Sequence, residues 1–252
     1  MNSLSLQDKV ILITGALGDG GAGAIKLFLK KGASIAATDL KSIDKFPEWE
    51  VLQKQYGSDR MYYMESDFTN EDQVQSVMEG VDRYFGRLNG AYHNVYANPS
   101  LSIAEMSMQD WEQSLRGTLT SAFLMCKYAA QLMIASGGGS IVNTSSILGT
   151  KPSGANASYG AGKAGMEQLT RYAAVEYAKY GIRVNAVVPG DFKGEQLLAT
   201  MPPSHFEEMR AITLIGRSGT TDEINEVAAF LLSDAATYVT GSMYPVNGGL
   251  WI

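Results

Sequence analysis

The sequence predicts an α/β fold, with a mostly parallel sheet and helices on both of its faces, folded as a single domain. Three observations predict it. Short apolar runs alternate with segments of helical period from one end of the chain to the other. The first of these runs ends in a glycine-rich turn that opens into a helix, the beginning of a strand–helix–strand unit. Finally, 252 residues, 45% of them hydrophobic, suffice for one substantial core. No internal repeat, low-complexity segment or linker divides residues 1–252.

Taken in order, Val10-Ile-Leu-Ile13 is a continuous apolar run, as expected of a strand buried on both faces. The glycine turn follows, then a helical stretch over Ala24–Leu29 closed by Gly32. Ser34–Thr38 reads as a second strand ending at Asp39, and Arg60–Met64 as a third ending near Asp67. Asn70–Phe85 is helical, Leu88–Asn94 is a strand, and Met108–Ala135 carries one long helical pattern. Ser140–Thr144 is a strand introduced by Gly137-Gly-Gly139. Tyr159–Tyr180 is a helix closed by Gly181, and Arg183–Val188 is a strand stopped by Pro189-Gly190. Thr221–Ser233 is helical, with Asp222 and Glu223 suited to its first turn but no full capping box at Thr221. Ser242–Val246 is the last strand. Only residues 191–215, rich in Met, Phe and Pro, break the rhythm. Loops at the carboxyl ends of strands line the ligand crevice of an open α/β sheet, so this segment is expected to be a substrate lid.

Composition excludes several functions. A formal charge of −6, with no basic stripe, argues against nucleic acid as a partner. No apolar run reaches the roughly 18 residues of a membrane helix. The polar Met1–Lys9 segment runs into a strand and is no signal peptide, so a soluble, cytoplasmic protein is expected. Cys126, the only cysteine, sits in an apolar run and is expected to be a buried, inert thiol. His93 and His205, the only histidines, lack partners at ligand spacing, so no metal site is expected.

The chemistry-bearing residues begin at Thr14-Gly-Ala-Leu-Gly-Asp-Gly-Gly21. Glycines let backbone approach a pyrophosphate, and the helix N-terminus supplies N–H donors and the positive end of its dipole. Gly15, Gly18 and Gly21 are candidate phosphate-turn residues, with Asp19 among them. Asp39 ends the next strand eighteen residues after Gly21. A carboxylate there accepts hydrogen bonds from adenosine ribose hydroxyls and repels a 2′-phosphate, which favours NAD(H) over NADP(H). Asp67 is placed to hold the adenine amino group, or else to cap the next helix. Farther along, Tyr159 and Lys163 stand four apart, hence on one face of a helix. An ammonium beside a phenol stabilises its anion and lowers its pKa toward the range of proton exchange with substrate.

Together these residues resemble the short-chain dehydrogenase/reductase family, in the single-domain branch whose chains match the 252 residues here. The matching pieces are Thr14-Gly15…Gly21, Asp67, His93-Asn94, Ile141-Val-Asn-Thr-Ser-Ser146, Tyr159-x3-Lys163, Arg183–Gly190 and Thr240-Gly241…Asn247-Gly-Gly249, in the family's order and spacing. The resemblance implies a Rossmann-type doubly wound sheet. It implies Tyr159 as general acid or base at the substrate oxygen, with Lys163 on the nicotinamide ribose. Ser146, thirteen residues before Tyr159, would polarise the substrate oxygen, while Ser145 would face the other way. Pro189-Gly190 would turn beneath the nicotinamide, and Asn94 would lie near the adenosine ribose. It also implies a homotetramer built on the two long helices, to whose surface Phe123, Tyr128, Tyr172 and Tyr177 contribute.

Four departures from the family pattern matter. Asp19 stands where the branch carries glycine. Val95 and Tyr96 replace small residues and narrow the nicotinamide side, which brings Tyr96 toward the substrate. Thr118 takes the place of the helical Asn of the proton relay. Gly194 falls where a Thr would hold the carboxamide, leaving backbone groups or Lys193 for that task. The expectation is an NAD(H)-dependent oxidoreductase interconverting a secondary alcohol and a ketone. Its small to medium, partly apolar substrate would meet Ser146, Tyr96 and Phe192, with Met201 and Met209 as further lid candidates. The alternatives are a 3-oxoacyl-thioester reductase, disfavoured by the absent basic patch, and a non-catalytic dinucleotide-binding regulator.

Overall fold

The computed structural model describes residues 4–250; the ends of the predicted domain, residues 1–3 and 251–252, lie outside the described residues. Its sheet begins with β1 (Val10–Thr14), whose residues alternate between two cores. Ile11 and Ile13 pack on one face with Phe28, Leu29, Trp49 and Leu231, whereas Val10 and Leu12 pack on the other with Val77, Leu88, Met125 and Val184. Side chains alternate across a strand, so a continuous apolar run is what a sheet covered on both faces requires. Each such burial contributes about 1.5–3 kcal/mol before chain entropy is counted.

After β1 come α1 (Asp19–Lys30), β2 (Ser34–Asp39), α2 (Glu48–Tyr56), β3 (Met61–Glu65), α3 (Glu71–Phe85) and β4 (Gly90–His93). Next are α4 (Met108–Leu115), a π-helical turn (Arg116–Thr120), α5 (Ser121–Ala135), β5 (Gly139–Thr144), α6 (Ala157–Tyr177) and β6 (Ile182–Pro189). The chain then forms β7 (Phe192–Lys193), α7 (Glu195–Leu198), α8 (Pro203–Ile212), β8 (Gly219–Thr220), α9 (Thr221–Leu232) and β9 (Met243–Val246). Seven strands form one sheet in the order β3-β2-β1-β4-β5-β6-β9. Every pairing in it is parallel, so the sheet is wholly rather than mostly parallel. Strand order reverses between β1 and β4, which opens a crevice at their carboxyl ends.

Four sequence expectations are corrected. Helix α1 starts at Asp19, not Ala24, so the glycines after Gly18 belong to the helix rather than to the turn. The long Met108–Ala135 pattern is interrupted by the π turn, which the apolar period carries through without a break. The cap of α9 is Thr220 rather than Thr221, and it forms a full capping box with Glu223. Residues 191–215 contain α7, α8 and the short strand β7, which pairs with β8 in a separate two-stranded ribbon. Helix α2, absent from the sequence reading, buries only Trp49 and Leu52.

Candidate active site

The crevice holds a cleft of about 720 Å³ whose lining includes Gly15, Gly18, Asp39, Asp67, Asn94 and Tyr96. At its floor the backbone folds back tightly. Gly15 adopts φ +60°, and a Cβ on Gly21 would lie 2.3 Å from the Gly15 carbonyl oxygen. Only glycine lets α1 start this close to the turn. The first-turn N–H groups of α1 receive no side-chain cap, because Gly18 is the N-cap residue. At the rim, Asp39 is held rigid by the Leu17 N–H at 2.9 Å and the Lys41 N–H at 3.1 Å. Asp67 accepts from the Thr69 N–H at 2.8 Å, while Asn70 caps α3, so the alternative capping role for Asp67 is excluded.

Three buried polar atoms of residues lining this cleft have no partner: Thr38 Oγ1, Ser66 Oγ and Asn94 Nδ2. Unpaired buried donors are costly, and their clustering fits a polar ligand. Together with the glycine turn and the fixed carboxylate of Asp39, they fit a dinucleotide. Asn94 is anchored on its other side, its Oδ1 accepting from Thr144 Oγ1 at 2.8 Å.

Ser146, Tyr159 and Lys163 converge beyond Asn94. Ser146 lies two residues past β5, where its Oγ accepts from the Leu148 N–H at 3.2 Å and is near enough to the Tyr159 hydroxyl to lower its pKa. Ser145 turns away and donates to the buried Glu167 at 2.8 Å. Lys163 is 1% exposed, donates to the Thr144 carbonyl at 2.5 Å, and holds its Nζ 5.4 Å from the Tyr159 ring centroid. Tyr96 stands edge-on to Tyr159, with centroids 5.7 Å apart, and its own centroid is 5.9 Å from Lys163 Nζ.

The electrostatics correct one expectation. Burial pushes the Tyr159 phenol up to about 12, against the Ser146 hydrogen bond, which lowers it. Burial also pushes Lys163 down to about 7. Desolvation disfavours the charged form of each. Tyr159 is therefore held protonated at neutral pH, as a proton donor.

Thr118 is brought close but is already engaged. It is fully buried in the π turn, and its hydroxyl accepts from the Ala97 N–H and donates to the Ala97 carbonyl, both at 3.2 Å. Its hydroxyl therefore fixes the loop that carries Tyr96. Phe192 is also placed differently from the expectation. Its ring packs toward Gly20 and the core beneath α1, not toward Ser146. Met209 is buried, and Lys193 is paired with Asp191. Pro189-Gly190 is pinned by β9, where a Cβ on Gly190 would lie 3.0 Å from Asn247.

Two groups were not legible in the sequence. Asp191, just past β6, accepts from Ser218 Oγ at 2.5 Å, and Ser218 lies 2.8 Å from His205 Nε2 on α8. This cluster ties the middle of the lid, at α8, to the end of β6, and its members are too far apart in sequence to signal a common site. Gln109, Gln113 and Arg116 line the outer cleft from α4 and the π turn. Among the described residues, no group of three or more His, Cys, Asp or Glu side chains is placed to hold a metal ion. None of the described helices is long and apolar enough to cross a membrane.

Comparison with known proteins agrees with this geometry. A family model described as enoyl-(acyl carrier protein) reductase matches residues 18–251. The chain is 36% identical to the cis-4-hydroxycyclohexanecarboxylate dehydrogenase of Sinomonas cyclohexanicum, over 97% of each chain. It is 34% identical to a 2,5-dichloro-2,5-cyclohexadiene-1,4-diol dehydrogenase of Sphingobium indicum, again over 97% of each. The solved structure of a short-chain type dehydrogenase/reductase from Mycobacterium ulcerans superposes with a TM-score of 0.89 at 29% identity, covering 97% of this chain and 90% of that one. A wholly parallel sheet, a dinucleotide crevice and a Ser–Tyr–Lys cluster thus coincide in a chain that belongs to the short-chain dehydrogenase/reductase family, as an alcohol–ketone oxidoreductase using a nicotinamide nucleotide.

Proposed function

We propose that this protein is an NAD(H)-dependent dehydrogenase of small, partly apolar secondary alcohols, six-membered ring alcohols foremost. The observation that carries the reading is the meeting of Ser146, Tyr159 and Lys163 behind Tyr96, a residue that also lines the cleft holding Asp39. Two relatives named for oxidising hydroxylated six-membered rings support the substrate class. Asp39 supports NAD(H), because its fixed carboxylate would oppose a 2′-phosphate. Gly15, Gly18, Gly21, Asp67, Asn94, Pro189 and Gly190 would line the rest of the nucleotide, with Lys163 at the nicotinamide ribose.

When bound, the nicotinamide supplies or accepts the hydride. The chain's own residues orient the substrate and move the proton. Ser146 Oγ hydrogen-bonds the substrate oxygen and stabilises the charge that develops on it. In ketone reduction, Tyr159 gives its hydroxyl proton to that oxygen. In alcohol oxidation, Tyr159 first gives its phenol proton to solvent, and the phenolate, stabilised by a charged Lys163, then accepts the proton of the substrate hydroxyl. Tyr96, edge-on to Tyr159, forms one wall for an apolar ring. The lid, residues 191–215, closes over the substrate. The protein acts in the cytoplasm, as a homotetramer.

A spectrophotometric screen of cyclohexanol-type alcohols with NAD⁺ and NADP⁺ tests this reading. We expect reduction of NAD⁺ in preference to NADP⁺, and a weaker preference in Asp39→Ser. Reduction of NADP⁺ alone, or no turnover of any secondary alcohol, would contradict it.

A further inference from the structure

Asp19 and Gly194, which lie 175 residues apart in sequence, meet beside the first turn of α1, next to Gly18 of the crevice and in a second pocket shared with α2 and α9. The Gly194 N–H donates to Asp19 Oδ2 at 3.2 Å, and a Cβ on Gly194 would lie 3.0 Å from the Asp19 carboxyl carbon. Backbone conformation does not require glycine there. Gly194 has φ −65° and ψ 152°, open to any residue, and it is the N-cap of α7, a position that favours Ser, Thr, Asp or Asn. The neighbouring carboxylate is what occupies the space of a side chain. The next lid contact falls on the same turn, because the Phe192 ring lies 3.9 Å from a Cβ built on Gly20. Asn225 Nδ2 donates to the Gly20 carbonyl at 3.0 Å, which ties the start of α1 to α9 as well.

Asp19 also opens α1. A carboxylate there interacts favourably with the positive end of the helix dipole, the same field that would receive a pyrophosphate. One negative group therefore holds the lid stem and competes with the charge of an incoming dinucleotide. We propose that Asp19 is a positioning residue that couples lid closure to dinucleotide binding. Its carboxylate latches Gly194 over the turn, and pyrophosphate weakens that latch. Coupling of this kind is reciprocal, so the latch weakens pyrophosphate binding by the same factor. This inference rests on the dinucleotide reading of the crevice.

The test measures ADP-ribose and adenosine binding by calorimetry at low ionic strength, together with hydrogen exchange across residues 195–212. Asp19→Asn removes the charge and keeps an acceptor. It should bind ADP-ribose about two- to fivefold more tightly than the native chain, with the gain fading as salt is raised. Adenosine, which has no pyrophosphate, should bind both proteins alike. Gly194→Thr should displace the carboxylate, speed lid exchange and also tighten ADP-ribose, and both effects should shrink in an Asp19→Gly background. Equal ADP-ribose affinities of the native chain and Asp19→Asn, or a Gly194→Thr effect unchanged in the Asp19→Gly background, would overturn the latch while leaving the dinucleotide reading intact. Failure of the native chain to bind ADP-ribose would instead defeat that reading, and the latch with it.

Discussion

His93 shows how much a single side chain organises. Ser121 Oγ donates to the Gly117 carbonyl at 2.7 Å, so toward His93 it must accept, at 3.1 Å from Nε2. The proton therefore sits on Nε2, and Nδ1 accepts from the Thr14 hydroxyl at 2.8 Å. Thr14 Oγ1 in turn accepts from the Asn94 N–H at 3.3 Å. One neutral imidazole thus joins the end of β1, the end of β4 and the start of α5. Burial pushes its pKa down to about 3, with the charge of Lys163 adding to the effect. The unfolded chain binds the extra proton between that value and the ordinary one near 6.5, so stability rises with pH across this window. His93's contribution should be complete above about 6.5 and lost as pH falls toward 3. Ring-nitrogen NMR of the folded protein should show that His93 stays neutral down to pH values near 4; a His93 midpoint near 6.5 would refute the assignment.

At the scale of elements, the π turn links catalysis to packing. Thr118 and Ser114 both hydrogen-bond Ala97, the neighbour of Tyr96. Thr118→Val keeps the shape but leaves the Ala97 N–H unpaired, which should cost about 1–3 kcal/mol. It should also lower turnover by releasing Tyr96, and an unchanged denaturation midpoint with unchanged turnover would count against this role. Replacing Thr220, the α9 capping residue, with Ala should cost about 1 kcal/mol while leaving turnover intact. The strands and long helices were legible because their apolar periods are dictated by a sheet covered on both faces. Helix α2 was not, since only Trp49 and Leu52 are buried to mark its period. The π turn adds a residue without interrupting the apolar stripe, so periodicity passes over it. The early start of α1 was hidden because glycines that signal a turn here belong to a helix packed against that turn.

For the molecule as a whole, the residues of the candidate site were legible, but their ionisation was not. Spacing placed Tyr159 beside Lys163; only burial, which spacing does not report, reverses the direction of the phenol's shift. Surface assignments were likewise split. Phe123 and Tyr172 are exposed on α5 and α6, with Val175 beside them, whereas Tyr128 hydrogen-bonds Glu71 and Tyr177 packs on the core. Exposed apolar side chains on these two helices are suited to a protein interface. Sedimentation should find a tetramer, and Tyr172→Glu with Val175→Glu should reduce it to smaller species; a native monomer would contradict this assembly. If Tyr159 transfers the proton in a nicotinamide-dependent oxidation, its hydroxyl is needed for turnover but not for nucleotide binding, and both can be measured on the same Tyr159→Phe protein. Turnover should fall by ~10²–10⁴, with NADH affinity retained within about twofold. Turnover that survives the substitution would contradict that transfer.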